Sequence, residues 1–209
     1  MNGVFEKFVL VVLGLVCFCF VSEAQPASND LNVTKFLGIP VDGYKSDMIR
    51  ELEKKGYQYD RENDCLFGEY NGEDVIIAIQ TNNNKVWRIA IADVKSRSEA
   101  QIKIRYNNLC KQFENNKKYG APIDHTIPDK EDISYEMIVH NKEYQAAYLQ
   151  NSRIDTVGVN SVEKLAEAFA KIEGYENRLV WFTINQRGSE YAITMFYENG
   201  YNQAKGEDL

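Results

Sequence analysis

Histidine, glycine-rich loops and clusters of positive charge are scarce in this sequence of 209 residues. Neither of its two histidines, His125 and His140, has a partner at the spacing of zinc ligands. Gly38, Gly43 and Gly56 are each explained by a turn or a helix end, so no phosphate-binding loop is indicated. The net charge is -7, and no lysine and arginine cluster is interleaved with aromatic residues, which argues against nucleic acid as a partner. We expect no cofactor and no metal centre.

Long hydrophobic runs are also scarce, and the one that stands out lies at the N-terminus. It extends from Phe8 to Val21, and Ser22-Glu23-Ala24 follows it in the order of a secretory signal peptide and its cleavage site. The run is shorter than the about 18 apolar residues that a membrane-spanning helix needs. We therefore expect cleavage after Ala24, a periplasmic or secreted mature chain, and no stable membrane insertion.

Cysteine is the third scarce residue, with four in the chain. Cys17 and Cys19 lie in the apolar run, but the large residues before them argue against processing as a lipoprotein. Cys65 and Cys110 remain after cleavage, and an exported pair can form one disulfide. Two buried free thiols are the alternative, because the sequence cannot place the two Cα atoms within bonding range.

Hydrophobic periodicity predicts an α+β fold, with a mostly antiparallel curved sheet of about seven or eight strands and about three main helices. The predicted helices are Lys45 to Lys55, Arg97 to Tyr119, and a third that contains Val162, Leu165, Phe169 and Ile172. The predicted strands are Tyr57 to Asp60, Cys65 to Tyr70, Asp74 to Gln80, Val86 to Val94, Ser134 to His140, Lys142 to Asn151, Arg178 to Asn185 and Glu190 to Glu198. Trp87, Ile89 and Ile91 are expected to share one face of their strand, and a turn is expected near Asn141.

Four segments follow from this pattern: a signal peptide over 1–24, a flexible tether over 25–35, an N-terminal half over 36–119 and a C-terminal half over 120–209. Each half offers about four strands preceded by a helix. We expect one compact domain with a layout of two pseudo-repeated halves.

The first helix is entered through Phe36-Leu37-Gly38-Ile39-Pro40-Val41-Asp42-Gly43, and the following meander ends on Val86-Trp87-Arg88. In this layout the chain resembles uncharacterised secreted or periplasmic proteins of Bacteroides-type bacteria. Their architecture is similar to β-lactamase-inhibitor-protein-like and outer-membrane-assembly-lipoprotein-like helix-plus-antiparallel-sheet modules. The resemblance implies an exported module that binds a partner, and it brings no family active site with it. It also implies that Asp155-Thr156-Val157 is an O-glycosylation site, although the same residues fit a plain loop.

Nucleophilic catalysis requires a serine or cysteine beside a histidine and a carboxylate. Cys110, His125 and Asp124 are the one combination of this kind that we consider, but Cys110 falls on the apolar side of its predicted helix. Scattered Asp and Glu side chains leave open a second class of enzyme, a hydrolase that acts on glycans or the cell wall.

Alternating carboxylates at Asp60, Glu62 and Asp64 are the strongest candidate for a cation site. They lack the glycine and the closing glutamate of an EF-hand loop. A solvated turn between two strands fits them better.

Aromatic residues make up 12% of the chain and suggest a binding surface. Trp181 falls on the strand face opposite Phe182, while Tyr197 and Tyr201 flank Asn199-Gly200. Aromatic rings that stack beside amides that form hydrogen bonds are typical of glycan- or protein-binding surfaces. We therefore expect a non-enzymatic binding or envelope-associated module that uses Trp181, Tyr197 and Tyr201. The alternative is that a sheet covered on both faces buries these rings.

Overall fold

The computed structural model describes residues 33–120, 124–150 and 178–203, and, between the last two ranges, Lys164, Glu167 and Gly174. These residues belong to one compact unit, Leu31–Leu209. Its described part holds three α-helices, a two-stranded sheet and an eight-stranded sheet. The prediction of an α+β fold with a mostly antiparallel sheet is confirmed.

The eight-stranded sheet contains every described strand of more than two residues. The helices are α1 (Lys45–Lys54), α2 (Glu99–Asn115) and α3 (Ile133–Val139). The small sheet pairs β1 (Lys35–Phe36) with β2 (Ile39–Pro40). The large sheet consists of β3 (Gln58–Asp60), β4 (Cys65–Tyr70), β5 (Glu73–Asn82), β6 (Lys85–Asp93), β7 (Tyr119–Gly120), β8 (Gln145–Gln150), β9 (Leu179–Arg187) and β10 (Glu190–Glu198). Its order is β3-β4-β5-β6-β10-β9-β8-β7, and all neighbours are antiparallel.

The turn between β4 and β5 follows directly from local sequence. Asn71 and Gly72 connect Tyr70 to Glu73 and have φ values of 55° and 76°. Positive φ at both central residues is what a type I′ hairpin turn requires, and asparagine and glycine tolerate it best. This predicted hairpin is confirmed, and it places Tyr70 at the end of β4.

The core lies on one face of the large sheet, between the strands and the helices α1 and α2. Alternate strand residues such as Ile77, Ile89 and Phe182 point to this face and join the apolar residues of both helices in one buried cluster. The ring centroids of Tyr106 on α2 and Phe182 on β9 are 5.1 Å apart in an edge-to-face contact. The opposite face carries the intervening residues of each strand.

The strand predicted from Ser134 to His140 is wrong, because this segment forms helix α3. The side chain of Asp132 caps the helix by accepting a hydrogen bond from the backbone N–H of Tyr135 at 2.8 Å. The carboxylate of Glu99 also accepts from the N–H of Ile133 at 3.0 Å. The hairpin predicted to turn near Asn141 is therefore replaced by a helix followed by β8, with Asn141 at a positive φ of 50°.

The predicted face of Trp87 is also wrong. The register of β5 and β6 shifts between Gln80 and Thr81, so that Gln80 pairs with Arg88 while Thr81 pairs with Val86. Trp87 is the extra residue of this bulge and leaves the alternation. Val86, which is fully buried, takes the core position that was expected for Trp87.

Several predictions fall outside the described residues. They are the signal peptide, most of the tether, the sequence Asp155-Thr156-Val157 and, apart from Lys164 and Glu167, the third predicted helix. Among the helices that the structure does describe, none is long and apolar enough to cross a membrane.

Candidate functional site

A cavity of about 470 Å³ opens between the C-terminal half of α2 and the ends of β4 and β10. Its volume lies within the range of about 300–1,000 Å³ that is common for small-ligand sites. Four tyrosines line it: Tyr57, Tyr70, Tyr119 and Tyr197. We call this cavity the tyrosine pocket.

Secondary structure explains how residues far apart in sequence meet here. Tyr70 lies on the same side of β4 as the buried Leu66, which precedes it by four residues. Tyr197 lies on the core face of β10, opposite Ile89 of β6. Tyr119 follows the end of α2 and begins β7, and Tyr57 precedes β3. The four tyrosines thus come from three strands and from the loop between α1 and β3.

Three of the four tyrosine hydroxyls that line the pocket, those of Tyr70, Tyr119 and Tyr197, form a connected hydrogen-bonded group. The hydroxyl oxygens of Tyr70 and Tyr197 are 2.8 Å apart. Tyr119 is a second neighbour of the Tyr197 hydroxyl, and the Gln150 side chain donates to the Tyr119 hydroxyl at 3.2 Å. Gln150 in turn accepts from the backbone N–H of Lys35 at 2.6 Å. The hydroxyls are therefore oriented by the fold.

Burial raises the pKa of three of the four tyrosines that line the pocket. It raises the pKa of Tyr70 to about 12, and it raises the pKa of Tyr197, which is enclosed more deeply, well above its usual value. It also raises the pKa of Tyr57. Neutral phenols can both donate and accept hydrogen bonds, so the base of the pocket offers both functions to a ligand.

One wall of the pocket depends on a glycine. The ring of Tyr57 packs so closely on β4 that a Cβ atom added at Gly68 would lie 2.4 Å from the Cδ1 atom of Tyr57. The Tyr57 hydroxyl donates to the carbonyl oxygen of Glu69 at 3.0 Å, which fixes the far end of the ring. Gly68 and Glu69 together set the position of this wall.

The mouth of the pocket is lined by side-chain amides. The Nδ2 atom of Asn71 donates to the Oε1 atom of Gln112 at 2.7 Å, which connects the β4–β5 turn to α2. Asn116 lies beside them at the end of the helix. The charged residues of the lining are Lys55 and Glu69, one of each sign. The aromatic rings inside the pocket and the side-chain amides at its mouth are complementary to a neutral group that carries many hydroxyls.

The three predicted binding residues do not form one patch. Tyr197 is 2% exposed and contributes to the tyrosine pocket, so the expectation that it lies on an exposed surface is wrong. Trp181 is half-buried on the opposite face of the sheet, as its strand alternation predicts. Tyr201 is 60% exposed in a short 3-10 helix, Gly200–Asn202.

Trp181 belongs to a small polar and aromatic cluster on its own face. Its ring stacks on Phe196 with centroids 4.2 Å apart, and its indole N–H donates to Glu198 at 2.8 Å. Glu198 also forms an ion pair with Arg88, whose guanidinium lies over the ring of Trp87 at 4.2 Å. The polar atoms of this cluster are used mainly within it, which favours a structural role.

The disulfide considered possible between Cys65 and Cys110 is not formed in the structure, where both thiols are free and buried. Their surroundings differ: Cys65 starts β4 near Asp60 and Asp64, while Cys110 lies on α2 beside Tyr148. The structure agrees with the alternative expectation, which was two buried free thiols.

Cys110, His125 and Asp124 do come near one another, but not as a nucleophilic site. Burial raises the pKa of the Cys110 thiol to about 12, so the reactive thiolate is disfavoured. Burial also lowers the pKa of His125, whose ring lies edge-on to Tyr148 with centroids 5.6 Å apart. The Cys110 thiol is fully enclosed, and Cys110 and His125 contribute to packing, while Asp124 is exposed.

Two acidic side chains outside the pocket, Asp93 and Glu73, are paired with arginines. Asp93, 4% exposed, accepts from Arg105 at 2.6 and 2.8 Å and from Arg97 at 3.3 Å. Glu73 forms ion pairs with the same two arginines. Neither carboxylate lines the tyrosine pocket. This arrangement favours a structural ion-pair network.

The carboxylates at Asp60, Glu62 and Asp64 lie in a turn. Asp60 accepts from the backbone N–H of Glu62 at 2.9 Å, and Asp64 forms an ion pair with Lys45 at 2.5 Å. Within the ranges that the structure describes, no group of three or more His, Cys, Asp or Glu side chains could hold a metal ion.

No protein-family model, curated protein or solved structure matches the chain. The resemblance to secreted Bacteroides-type proteins therefore stays a prediction.

The tyrosine pocket was missed by sequence reasoning because Tyr57, Tyr70 and Tyr119 show no shared motif, and only Tyr197 was singled out.

Proposed function

We propose that the chain is an exported, non-enzymatic binding module and that the tyrosine pocket binds a glycan. One observation carries the proposal: four tyrosine rings and three amides converge on a cavity of about 470 Å³. Sugars present apolar ring faces and a rim of hydroxyl groups, and aromatic rings and amides complement these two features.

The pocket favours a glycan over a folded protein as partner because its binding groups are recessed. A protein partner would need a broad contact of about 800 Å² on each side, whereas the tyrosines line a small cavity. The rival enzyme class, a hydrolase with two carboxylates, requires acids that converge on the ligand. Glu69 is the one acidic residue among those described around the pocket.

The test is a glycan array followed by calorimetric titration of the purified chain with the oligosaccharides that bind. We expect the double variant Gln112→Ala, Asn116→Ala to weaken binding about 10-fold or more, because it removes two hydrogen-bonding amides at the mouth. Both residues are exposed, so the fold should tolerate the change.

Gln58→Ala is the matched control, since it removes an exposed amide from β3, outside the pocket. It should leave the affinity unchanged. If no glycan binds, or if Gln112, Asn116 and Gln58 variants behave alike, the pocket is not a glycan site. Release of shortened sugars would instead support the hydrolase.

A further inference from the structure

A second, shallower cavity of about 710 Å³ adjoins the tyrosine pocket on the exposed side of α2. The two cavities share Gln112 and Asn116 at their boundary. The pocket is therefore not closed at the helix, and a ligand can continue from it over the helix surface. We call this second cavity, which is lined by residues between Asn108 and Lys117, the ledge. The helical segment from Asn108 to Asn115 covers about 10 Å of the helix axis.

The chemistry of the ledge differs from that of the pocket. Its lining consists of four amide side chains and two lysines, Lys111 and Lys117, with no carboxylate. Neither lysine has a hydrogen bond or ion pair to a side chain in the part of the chain that the structure describes. By contrast, Lys45, Lys54 and Lys142 are each paired with an acid. Among the described lysines, Lys55, Lys95, Lys118 and Lys130 also lack an acidic partner, so Lys111 and Lys117 are distinguished by their shared position on one cavity.

Glu114 is an acidic neighbour that reduces the positive charge around Lys111. It lies on α2 between the two lysines, and burial raises its pKa, while Lys111 lowers it. It therefore offsets part of the charge of Lys111. It does not line the ledge, and Lys117 lies beyond the end of the helix. The ledge thus keeps a positive charge at its far end.

We infer that the ligand of the tyrosine pocket is an acidic oligosaccharide, with one sugar in the pocket and an anionic sugar unit on the ledge against Lys111 and Lys117. The inference rests on the proposed glycan function. A carboxylate and a sulfate share the chemistry that two ammonium groups recognise, so the anion is a uronic acid or a sulfated sugar. The amides of the ledge supply hydrogen bonds to the sugar hydroxyls between the two ends.

The test compares matched neutral, uronic-acid and sulfated trisaccharides of the glucose, galactose and N-acetylglucosamine series by calorimetric titration. We expect an acidic member to bind about 10-fold more tightly than its neutral counterpart, because charge-assisted hydrogen bonds are stronger than neutral ones. This advantage should shrink at high salt. Lys111→Gln with Lys117→Gln should remove this advantage, so that the acidic and the neutral sugar bind with similar affinity.

The control carries the same change of charge outside both cavities, with Lys95→Gln and Lys130→Gln. It should keep the preference for the acidic sugar. If neutral and acidic sugars bind equally and the ledge lysines have no effect, the inference fails and the proposed function stands. If no trisaccharide binds at all, both fail. Should the lysine variants change only the unfolding free energy, the lysines serve the helix end and the inference also fails.

Discussion

At the scale of single residues, the shape of the tyrosine pocket depends on the absence of a Cβ atom at Gly68. A Cβ at position 68 would lie 2.4 Å from Cδ1 and 2.8 Å from Cε1 of Tyr57. Gly68 does not have a positive φ, so alanine is acceptable to the backbone and the conflict is with the ring alone. We expect Gly68→Ala to displace Tyr57, to destabilise the protein by about 1–3 kcal/mol and to weaken ligand binding.

Urea unfolding measures this loss, and a double-mutant cycle isolates its cause. Combining Gly68→Ala with Tyr57→Leu removes the ring that the new methyl group would meet. The two changes should then cost less together than the sum of their separate effects. Additive effects would show that contact with the Tyr57 ring is not the cause of the destabilisation by Gly68→Ala.

Residue-level reasoning could predict that Trp181 lies on the strand face opposite Phe182, but not what surrounds Tyr197. Strand alternation is local, and it places Trp181 correctly. The neighbours of Tyr197, which are Tyr70 and Tyr119, lie 127 and 78 positions away in the chain. No local pattern encodes that convergence, because it depends on how β4, β7 and β10 are arranged.

At the scale of elements, a buried ion-pair network joins β5, β6 and α2. Asp93 of β6 is its centre: it binds Arg105 of α2 through two hydrogen bonds, and its backbone carbonyl accepts from Arg187 of β9 at 3.0 Å. Asp93→Asn would leave two guanidinium groups in the interior without their full countercharge. Breaking a buried pair in this way costs about 3–5 kcal/mol.

Urea unfolding of Asp93→Asn tests this expectation. Asp47→Asn is the matched control, because Asp47 pairs with Arg50 in a largely exposed position on α1. Exposed pairs contribute about 0–1 kcal/mol. Equal losses in the two variants would mean that the network contributes no more than a surface pair.

Elements with strong local signals were predicted well, and those decided by distant contacts were not. The Asn71-Gly72 hairpin and helix α2 are encoded by turn chemistry and by regular periodicity. Helix α3 is seven residues long and rich in β-branched and aromatic residues, so its sequence favours a strand. Its start is fixed by the local cap Asp132 and by Glu99, which lies 34 positions before Ile133, and a local pattern cannot reveal the contact with Glu99.

At the scale of the whole molecule, buried tyrosines make the fold sensitive to high pH. Burial raises the pKa of Tyr70 from 10.0 to about 12, and it raises the pKa of Tyr106, Tyr148 and Tyr197 as well. In the unfolded chain these phenols lose their protons near their ordinary pKa of 10.0, whereas in the folded chain they retain them. Above that pH the unfolded state therefore binds fewer protons than the folded state, and the free energy of unfolding falls as pH rises.

We therefore expect stability to be fully present below pH 10 and to be lost as pH rises through about 12. Unfolding in urea at successive pH values measures the loss, and the ultraviolet absorbance of tyrosinate follows ionisation separately. The chain has 13 tyrosines, so the exposed ones should ionise first and the buried ones only as the protein unfolds. Tyr197→Phe should reduce the amplitude of this late phase, whereas Tyr201→Phe, which alters an exposed ring, should reduce the early one. A single ionisation step for all tyrosines in a protein that stays folded would contradict the enclosed tyrosine core.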